Sequence, residues 1–393
     1  MNEHNMKMKD YCIKPYDVLF FRGNKSFYFG EWYSEGVFPP LPSTFQGFIR
    51  HKVLVDNNIS PDDKEIKQHK IGDDDTMPME ITGPYLRDEE GKIYFQSPKD
   101  IFRGENKKYY SAMPAETPLQ SDLGFSLYCP DLPKEGKLEK HKPLEYISLK
   151  EMIDYRTKLT DIEIQNKEIV GTEDRVLIGL DFEKLKGGNR VVKEGRFNVA
   201  AYNRLKNDYG FYCNVKLSDD LKILNGSLKF GSESHIVYVE ELKEGNYLEE
   251  ELKKNREELK DQIIKTKTLK IILLQPAIFE NGWLPFDYED KDNKKTCYVD
   301  GLQLELLFAF MDAPIKISGY SFYKNTKKSN TQQKDIRLKP IRNAVPAGSV
   351  YVFRINGDAS DEQIKSFIDK FDNKKIENAP YSLMGFNHVI VGI

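Results

Sequence analysis

From Leu269 onward the hydrophobic period of the chain switches repeatedly between about 2 and about 3.6 residues, and this alternation of strand and helix patterns restricts the fold more than any other feature. Leu269 to Phe279 reads as a buried strand, Leu302 to Met311 as a helix with a broad apolar face, and Ile315 to Tyr320 and Val350 to Ile355 as two further strands. Ser360 and Gln363 form a capping box, in which each side chain satisfies a backbone N–H at a helix start. Ile364, Phe367, Ile368 and Phe371 continue that helix along one apolar face, and Val389 to Val391 ends the series as a strand. The predicted order, β-α-β-β-α-β, is the ferredoxin-like signature that RNA-recognition modules also use.

The N-terminal half begins in the same way. A strand is expected from Ile13 to Phe21, followed by the extended Phe38-Pro39-Pro40-Leu41-Pro42 and a helix capped by Ser43, with Gln46 completing a second capping box. Phe45, Phe48, Ile49 and Val53 form its buried stripe. Hairpins are expected around Glu89-Glu90-Gly91 and around Lys193-Glu194-Gly195. Residues 97–170 keep little periodicity and read as an insertion decorating the first domain. A charged helix from Glu249 to Lys265, with Leu248, Leu252, Leu259 and Ile263 along one side, marks the boundary between domains at 1–245 and 246–393.

Composition excludes several classes. At 393 residues, 39% of them hydrophobic, the chain is long enough for two domains that each bury a core. Cys12, Cys129, Cys213 and Cys297 are far apart with no CxxC pair, so neither a zinc ribbon nor a disulfide framework is expected. The histidines show no metal-ligand spacing, no P-loop or dinucleotide fingerprint occurs, and Gly72-Asp73-Asp74-Asp75 lacks calcium-loop spacing, so no metal or cofactor is expected. No apolar run approaches the ~18 residues of a membrane span and the first residues lack a signal-peptide pattern, which leads to a cytoplasmic expectation. A net charge of −3 gives no global basic field, so any nucleic-acid contact must rest on local patches.

The segments just placed also carry a family vocabulary. Pro15-Tyr16-Asp17-Val18-Leu19-Phe20-Phe21-Arg22 and then Phe38-Pro39-Pro40-Leu41-Pro42-Ser43-Thr44-Phe45-Gln46-Gly47-Phe48-Ile49-Arg50 open it. Gly83-Pro84, Gly179-Leu180-Asp181, Glu194-Gly195, Gln275-Pro276-Ala277 with Gly282-Trp283, Ser318-Gly319-Tyr320 and Val345-Pro346-Ala347-Gly348-Ser349-Val350-Tyr351 follow in order. This succession resembles the third-subunit family of the type III-B CRISPR Cmr effector complex, of the RAMP superfamily. The resemblance implies an α+β protein of two ferredoxin-like (RRM-like) domains. It further implies a non-catalytic, RNA-binding subunit that holds the repeat-derived 5′ tag of the guide RNA beside the large polymerase-cyclase-like subunit and a backbone subunit, with target RNA contacted only indirectly. Two departures stand out: Gly385-Phe386-Asn387-His388 replaces a Gly-Phe-Gly type turn, and Phe230-Gly231-Ser232-Glu233-Ser234 replaces a paired-glycine segment.

On physical grounds Ser43, Thr44, Gln46, Gly47 and Arg50 are the best RNA candidates, because amides at a helix start attract phosphate, and a glycine inside the helix suggests a close approach to the backbone. Plain capping, with a helix-strand contact at Gly47, is the competing explanation. Arg22 and Lys25 end the first strand, and Arg175, Lys193 and Arg196, with Tyr202, Arg204 and Tyr209, surround the second hairpin where unpaired bases could stack. Lys324, Lys327, Lys328, Lys334, Arg337, Lys339 and Arg342, against Asp335 alone, read as a basic loop that could follow a phosphodiester chain. Trp283 reads as a core or interface anchor. His388 supports a rival reading, a metal-independent guide-processing endoribonuclease of the same superfamily; the analogous type III-A subunit and a pure protein scaffold are the others.

Overall fold

The computed structural model describes residues 6–23, 33–60, 71, 79–104, 108–119, 125–131, 145–159, 162–165, 167–180, 192–206, 208–243, 247–291, 294–324 and 334–393. Seven strands make the first sheet: β1 (Met6–Pro15), β2 (Ile81–Arg87), β3 (Ile93–Gln96), β4 (Tyr146–Ser148), β5 (Gly210–Ser218), β6 (Gly226–Lys229) and β7 (Ile236–Glu241). They lie in the order β6-β7-β1-β5-β2-β3-β4, antiparallel throughout. Seven more make the second: β8 (Thr268–Leu273), β9 (Tyr288–Lys291), β10 (Lys294–Val299), β11 (Leu302–Phe310), β12 (Val350–Asn356), β13 (Lys374–Lys375) and β14 (His388–Gly392). Their order is β9-β10-β11-β12-β8-β14-β13, also antiparallel.

Six α-helices accompany the sheets among the described residues: α1 (Pro42–Asp56), α2 (Leu149–Thr157), α3 (Tyr247–Lys253), α4 (Arg256–Thr266), α5 (Asp361–Phe371) and α6 (Tyr381–Met384). Four strands of each sheet share one arrangement. Both β7-β1-β5-β2 and β14-β8-β12-β11 place the last strand beside the first, then the third, then the second. The crossovers differ. In the first sheet α1 joins β1 to β2, while β5 reaches β7 through β6 and a short helical turn at Ser232–Ser234. In the second, α5 follows β12, while β8 reaches β11 through the β9-β10 hairpin.

Period 2 decides which core each side chain enters. Ile271 and Leu273 pack with Phe353, Ile364, Phe367 and Leu259 under α4 and α5, whereas Ile272 joins Val350, Val352 and Ile390 on the opposite face. The first sheet likewise puts Tyr11, Ile13, Phe211 and Val239 against Phe45, Phe48 and Ile49 of α1. Its other face supplies Tyr85, Phe95 and Tyr212 to the same cluster as Ile272 and Val352. The two sheets therefore share an inner core, and each carries helices on its outer face.

The capping box and the apolar stripe expected in the C-terminal half both hold at α5, where Ser360 and Gln363 bond reciprocally. The Glu89–Gly91 hairpin joins β2 and β3 as expected. Elsewhere the structure corrects the reading. Leu302–Met311 is not a helix: Leu302–Phe310 is strand β11, buried on both faces, and a bulge between Leu306 and Phe308 breaks its alternation, so no period of 2 shows in the sequence. The first strand is β1, ending at Pro15; Val18 to Phe21 are buried beyond it, and Leu19 makes a single bridge to Asn203. β8 stops at Leu273, and Ala277 pairs separately with Val345. Lys193–Gly195 is no turn but part of the strand Val192–Leu205, which pairs with Val170–Leu180. The charged helix is broken between Lys253 and Arg256, sending Leu248 and Leu252 to the inner core and Leu259 and Ile263 to the outer one.

The largest correction concerns 97–170. Rather than decorating the fold, this segment sends Tyr109, Ala112, Met152 and Tyr155 into the inner core. It also carries charge there. Arg156 of α2, with 0% exposure, donates to Asp372 at 2.7 Å and to the Leu252 carbonyl at 2.8 Å, and Asp372 takes a second bond from Arg256 at 2.9 Å. A second buried pair joins Lys270 of β8 to Asp100 at 3.0 Å, with Tyr155 and Ser111 also donating to that carboxylate at 2.6 and 2.9 Å. Removing one partner of such a pair leaves the other charged, desolvated and unanswered. Arg156→Ala is accordingly expected to cost about 3–5 kcal/mol, read as a lower denaturant midpoint in equilibrium unfolding; a loss below about 1 kcal/mol would mean that the pair does not hold the segment in place.

Candidate nucleic-acid interface

α1 begins two residues earlier than expected, at Pro42 with Leu41 as cap instead of Ser43. Pro42 has no N–H to lose and a pre-set φ, so it takes the first helical position, and Leu41 becomes the cap. Leu41 has no side-chain acceptor, so no side chain caps the helix, and its first turn holds no acidic residue. The Ser43–Gln46 capping box is therefore absent. Ser43 and Thr44 sit in the first turn, where amides have no intrahelical acceptor. No side-chain cap compensates their N–H groups or the positive end of the helix dipole.

Gln46 faces inward instead of capping, 1% exposed beside Phe45 and Ile49, and its Nε2 finds no hydrogen-bond partner among the described residues. Ser43, Gly47 and Arg50 fall on one outward stripe, half-buried, with Thr44 exposed next to it. A Cβ placed on Gly47 would meet nothing within 4 Å, so the glycine does not serve the helix-sheet contact proposed as its competing explanation. Arg22 is exposed where its strand-like segment pairs with Gly36. Lys25 lies outside the described residues.

The other basic candidates resolve differently. Arg175 bonds Glu173 at 2.8 Å and Asp17 at 3.0 Å while lying over the Tyr202 ring, and Arg204 bonds the same two carboxylates. Although burial acts to raise it, the Asp17 carboxyl is held down at about 2 by hydrogen bonds from Arg175, from the Val18 backbone and from Arg204. Two arginines facing two acids leave little net charge for phosphate, so Arg175 is bound up within the protein. Arg196 and Lys193 lie on the strand Val192–Leu205. The ends of the basic run are paired: Tyr320–Lys324 pairs with Lys334–Leu338, which puts Lys334 and Arg337 on a strand, with Lys339 just after it. Lys327 and Lys328 lie outside the described residues, as does Gly72–Asp75. Trp283 stacks on Tyr351 at 6.4 Å between ring centroids, at the edge of the second core.

What the sequence reading missed is the convergence of its scattered Gly and Pro motifs. Gln275 Nε2 donates to the Pro84 carbonyl at 2.6 Å, and Pro276 accepts from the Asn387 amide. A Cβ on Gly385, at φ 108°, would stand 2.7 Å from the Gly83 carbonyl and 3.4 Å from Pro42. Asn387 takes the left-handed backbone in place of a glycine, at φ 63°, and its side chain bonds the backbone of Ile278 and Ile376. Phe386, Met384 and Leu41 then close a small apolar cluster at the start of α1. The motifs are thus a seam that ties the two sheets together and fixes where α1 begins; their clustering in space, not their order, was invisible in one sequence.

The model of a family described as CRISPR-associated protein (Cas_Cmr3) matches residues 11–393. The chain belongs to the Cmr3 family. Among curated proteins, no sequence matches it. Two solved structures resemble it at 16% identity: a Type III-B Cmr-beta complex bound to cognate target RNA, covering 97% of this chain and 96% of the other with a TM-score of 0.45, and the same kind of complex with target RNA and AMPPnP in state 1, covering 92% and 88% with a TM-score of 0.41. The family match decides for the type III-B assignment over its III-A analogue. Among the described residues no group of three or more His, Cys, Asp or Glu stands where it could hold a metal, and no helix is long and apolar enough to cross a membrane.

In this Cmr3-family chain His388 opens β14 and is 1% exposed, with Nδ1 hydrogen-bonded to the Tyr85 hydroxyl. Burial first, and then Lys375 and Lys374 nearby, push its imidazole down to about 3. Below the ordinary value of 6.5 the unfolded chain takes up a proton that the folded one refuses, so stability is complete above that pH and declines as pH falls toward 3. Between pH 7 and pH 5 this group is expected to remove about 2 kcal/mol. Denaturant unfolding of wild type and His388→Gln checks this: the variant should show the shallower pH dependence, and equal slopes would contradict the assignment.

Proposed function

We propose that the chain is a non-catalytic RNA-binding subunit of a type III-B CRISPR (Cmr) RNA-guided effector, holding the repeat-derived 5′ tag of the guide RNA and docking the large polymerase-cyclase-like subunit beside a backbone subunit. Its two halves, 1–245 and 246–393, are ferredoxin-like domains that have each exchanged one helix for β structure, the first losing its second crossover helix and the second its first. The strand order repeated in both sheets supports this.

The observation that carries the RNA reading is the uncapped start of α1. Uncapped first-turn amides at Ser43 and Thr44, open space over Gly47 and a cation at Arg50 on the same stripe suit a phosphodiester backbone running along the first two turns. Arg22 would add a second cation near the same end. Supporting the absence of chemistry is His388, neutral, buried and engaged by Tyr85, which makes it a poor proton acceptor for a 2′-hydroxyl.

Two substitutions test the reading in the reconstituted particle. Gly47→Ala should raise stability by about 1 kcal/mol, because the added methyl meets nothing, whereas Gly47→Phe should fold normally and lower guide-RNA occupancy by blocking the path. Arg50→Glu should weaken guide binding about tenfold and flatten its salt dependence by about one unit of slope. Unchanged occupancy in both Gly47→Phe and Arg50→Glu would remove α1 from the interface.

A further inference from the structure

A second surface of stated chemistry lies on the C-terminal half. A groove of about 420 Å³ runs between the segment after Phe279, the end of β10 and the end of α5. Its floor is aromatic: Phe286 meets Phe371 edge-on at 5.5 Å, with Phe279 and Leu284 beside them. Tyr298 stands at the lip with 76% of its surface exposed, the most exposed large hydrophobic side chain among the described residues. Such a ring costs little conformational entropy to immobilise and offers a large contact area, which is why aromatic side chains concentrate in protein interfaces.

The charges around it have one sign. Lys370 and Lys375 also line the groove, but the first is paired with Asp300 at 2.8 Å and the second with Glu80 at 3.3 Å. Glu280, Asp287 and Glu377 remain, exposed, with no cation within ion-pair distance among the described residues. Asp287 is held in position by the Asn281 amide at 2.6 Å. Three uncompensated carboxylates repel a phosphate backbone, so this surface does not extend the RNA path. They favour lysine or arginine, and Tyr298 adds a ring face on which a cation can rest.

We infer that this groove docks a segment of a partner protein in which an apolar or aromatic anchor is flanked by lysine or arginine. The inference rests on the reading of the chain as a subunit of a larger particle, but not on α1 binding RNA. It is tested by zero-length carbodiimide coupling in the assembled particle, which joins carboxylates to lysines only at contact distance. Glu280, Asp287 or Glu377 should couple to lysines within one segment of a neighbouring subunit. The full-length Glu280→Gln, Asp287→Asn, Glu377→Gln variant should then bind that purified subunit at least about tenfold more weakly at low salt, with guide-RNA content unchanged. Tyr298→Ala, which removes no charge, should weaken it as well. Coupling to a second copy of this chain, photocrosslinks from Tyr298 to RNA, wild-type affinity in both variants, or inter-subunit couplings elsewhere with none from these three acids would each overturn it. A particle whose groove couples as expected but whose α1 variants keep their RNA would sink the α1 reading and leave this one standing; failure of any partner to bind would sink this inference together with the subunit reading it rests on.

Discussion

The fold depends on charge buried where two sheets meet. Arg156 and Asp372 are both fully buried, as are Lys270 and Asp100 to within 2%, and each pair joins the middle of the chain to its C-terminal half. A buried ion pair is a poor source of net stability compared with hydrophobic packing of the same volume, because desolvation cancels most of the attraction. Its value is selectivity. The inner core contains large, shape-tolerant residues such as Phe95, Phe308 and Leu307, which could slide past one another at small cost. Asp372, by contrast, is satisfied only when Arg156, Arg256 and the Val391 amide reach it together, which happens in one alignment of α2, α4 and β14. Fixed sheet alignment in turn lets Gly385 touch Gly83 and Pro42, and that contact sets the point at which α1 starts.

Legibility in the sequence followed burial. Where one face of an element was wet, its period survived: α1 and α5 were readable because half of each is polar, and their buried stripes are the expected residues. Where an element was dry on both faces the period vanished. Leu302–Phe310 offers apolar residues to two cores at once, and nothing local separates such a strand from a buried helix. The segment 97–170 failed for a related reason. Its contributions, such as Tyr109, Tyr155 and Arg156, sit on short separate elements, each meaningful only against a surface supplied by distant strands.

At the candidate site, the residue types were readable and their directions were not. Ser43 and Gln46 satisfied a capping rule that applies when nothing else competes for the helix start. Pro42 does compete, and the helix starts two residues before the expected point. Gln46 then lies inside the first turns on the buried face with Ile49, and Ser43 and Thr44 have no cap to serve. An error in local chemistry thus conceals a better site, since a side chain occupying the cap would have taken the amides that an anion needs.

Charge distribution sets what such a site can do alone. The chain carries many cations, but the structure spends them internally: Arg175 and Arg204 on Asp17 and Glu173, Arg156 and Arg256 on Asp372, Lys270 on Asp100, Lys375 on Glu80. With net charge at −3, no long-range field draws RNA toward α1 from solution. Binding through helix amides and one or two arginines is short-ranged and depends on the strand arriving already oriented. On the proposed function, a subunit built this way would gain RNA only when its neighbours deliver the strand end to it. An acidic, aromatic groove elsewhere on the same chain supplies the complementary requirement, a surface that selects a protein neighbour by repelling nucleic acid.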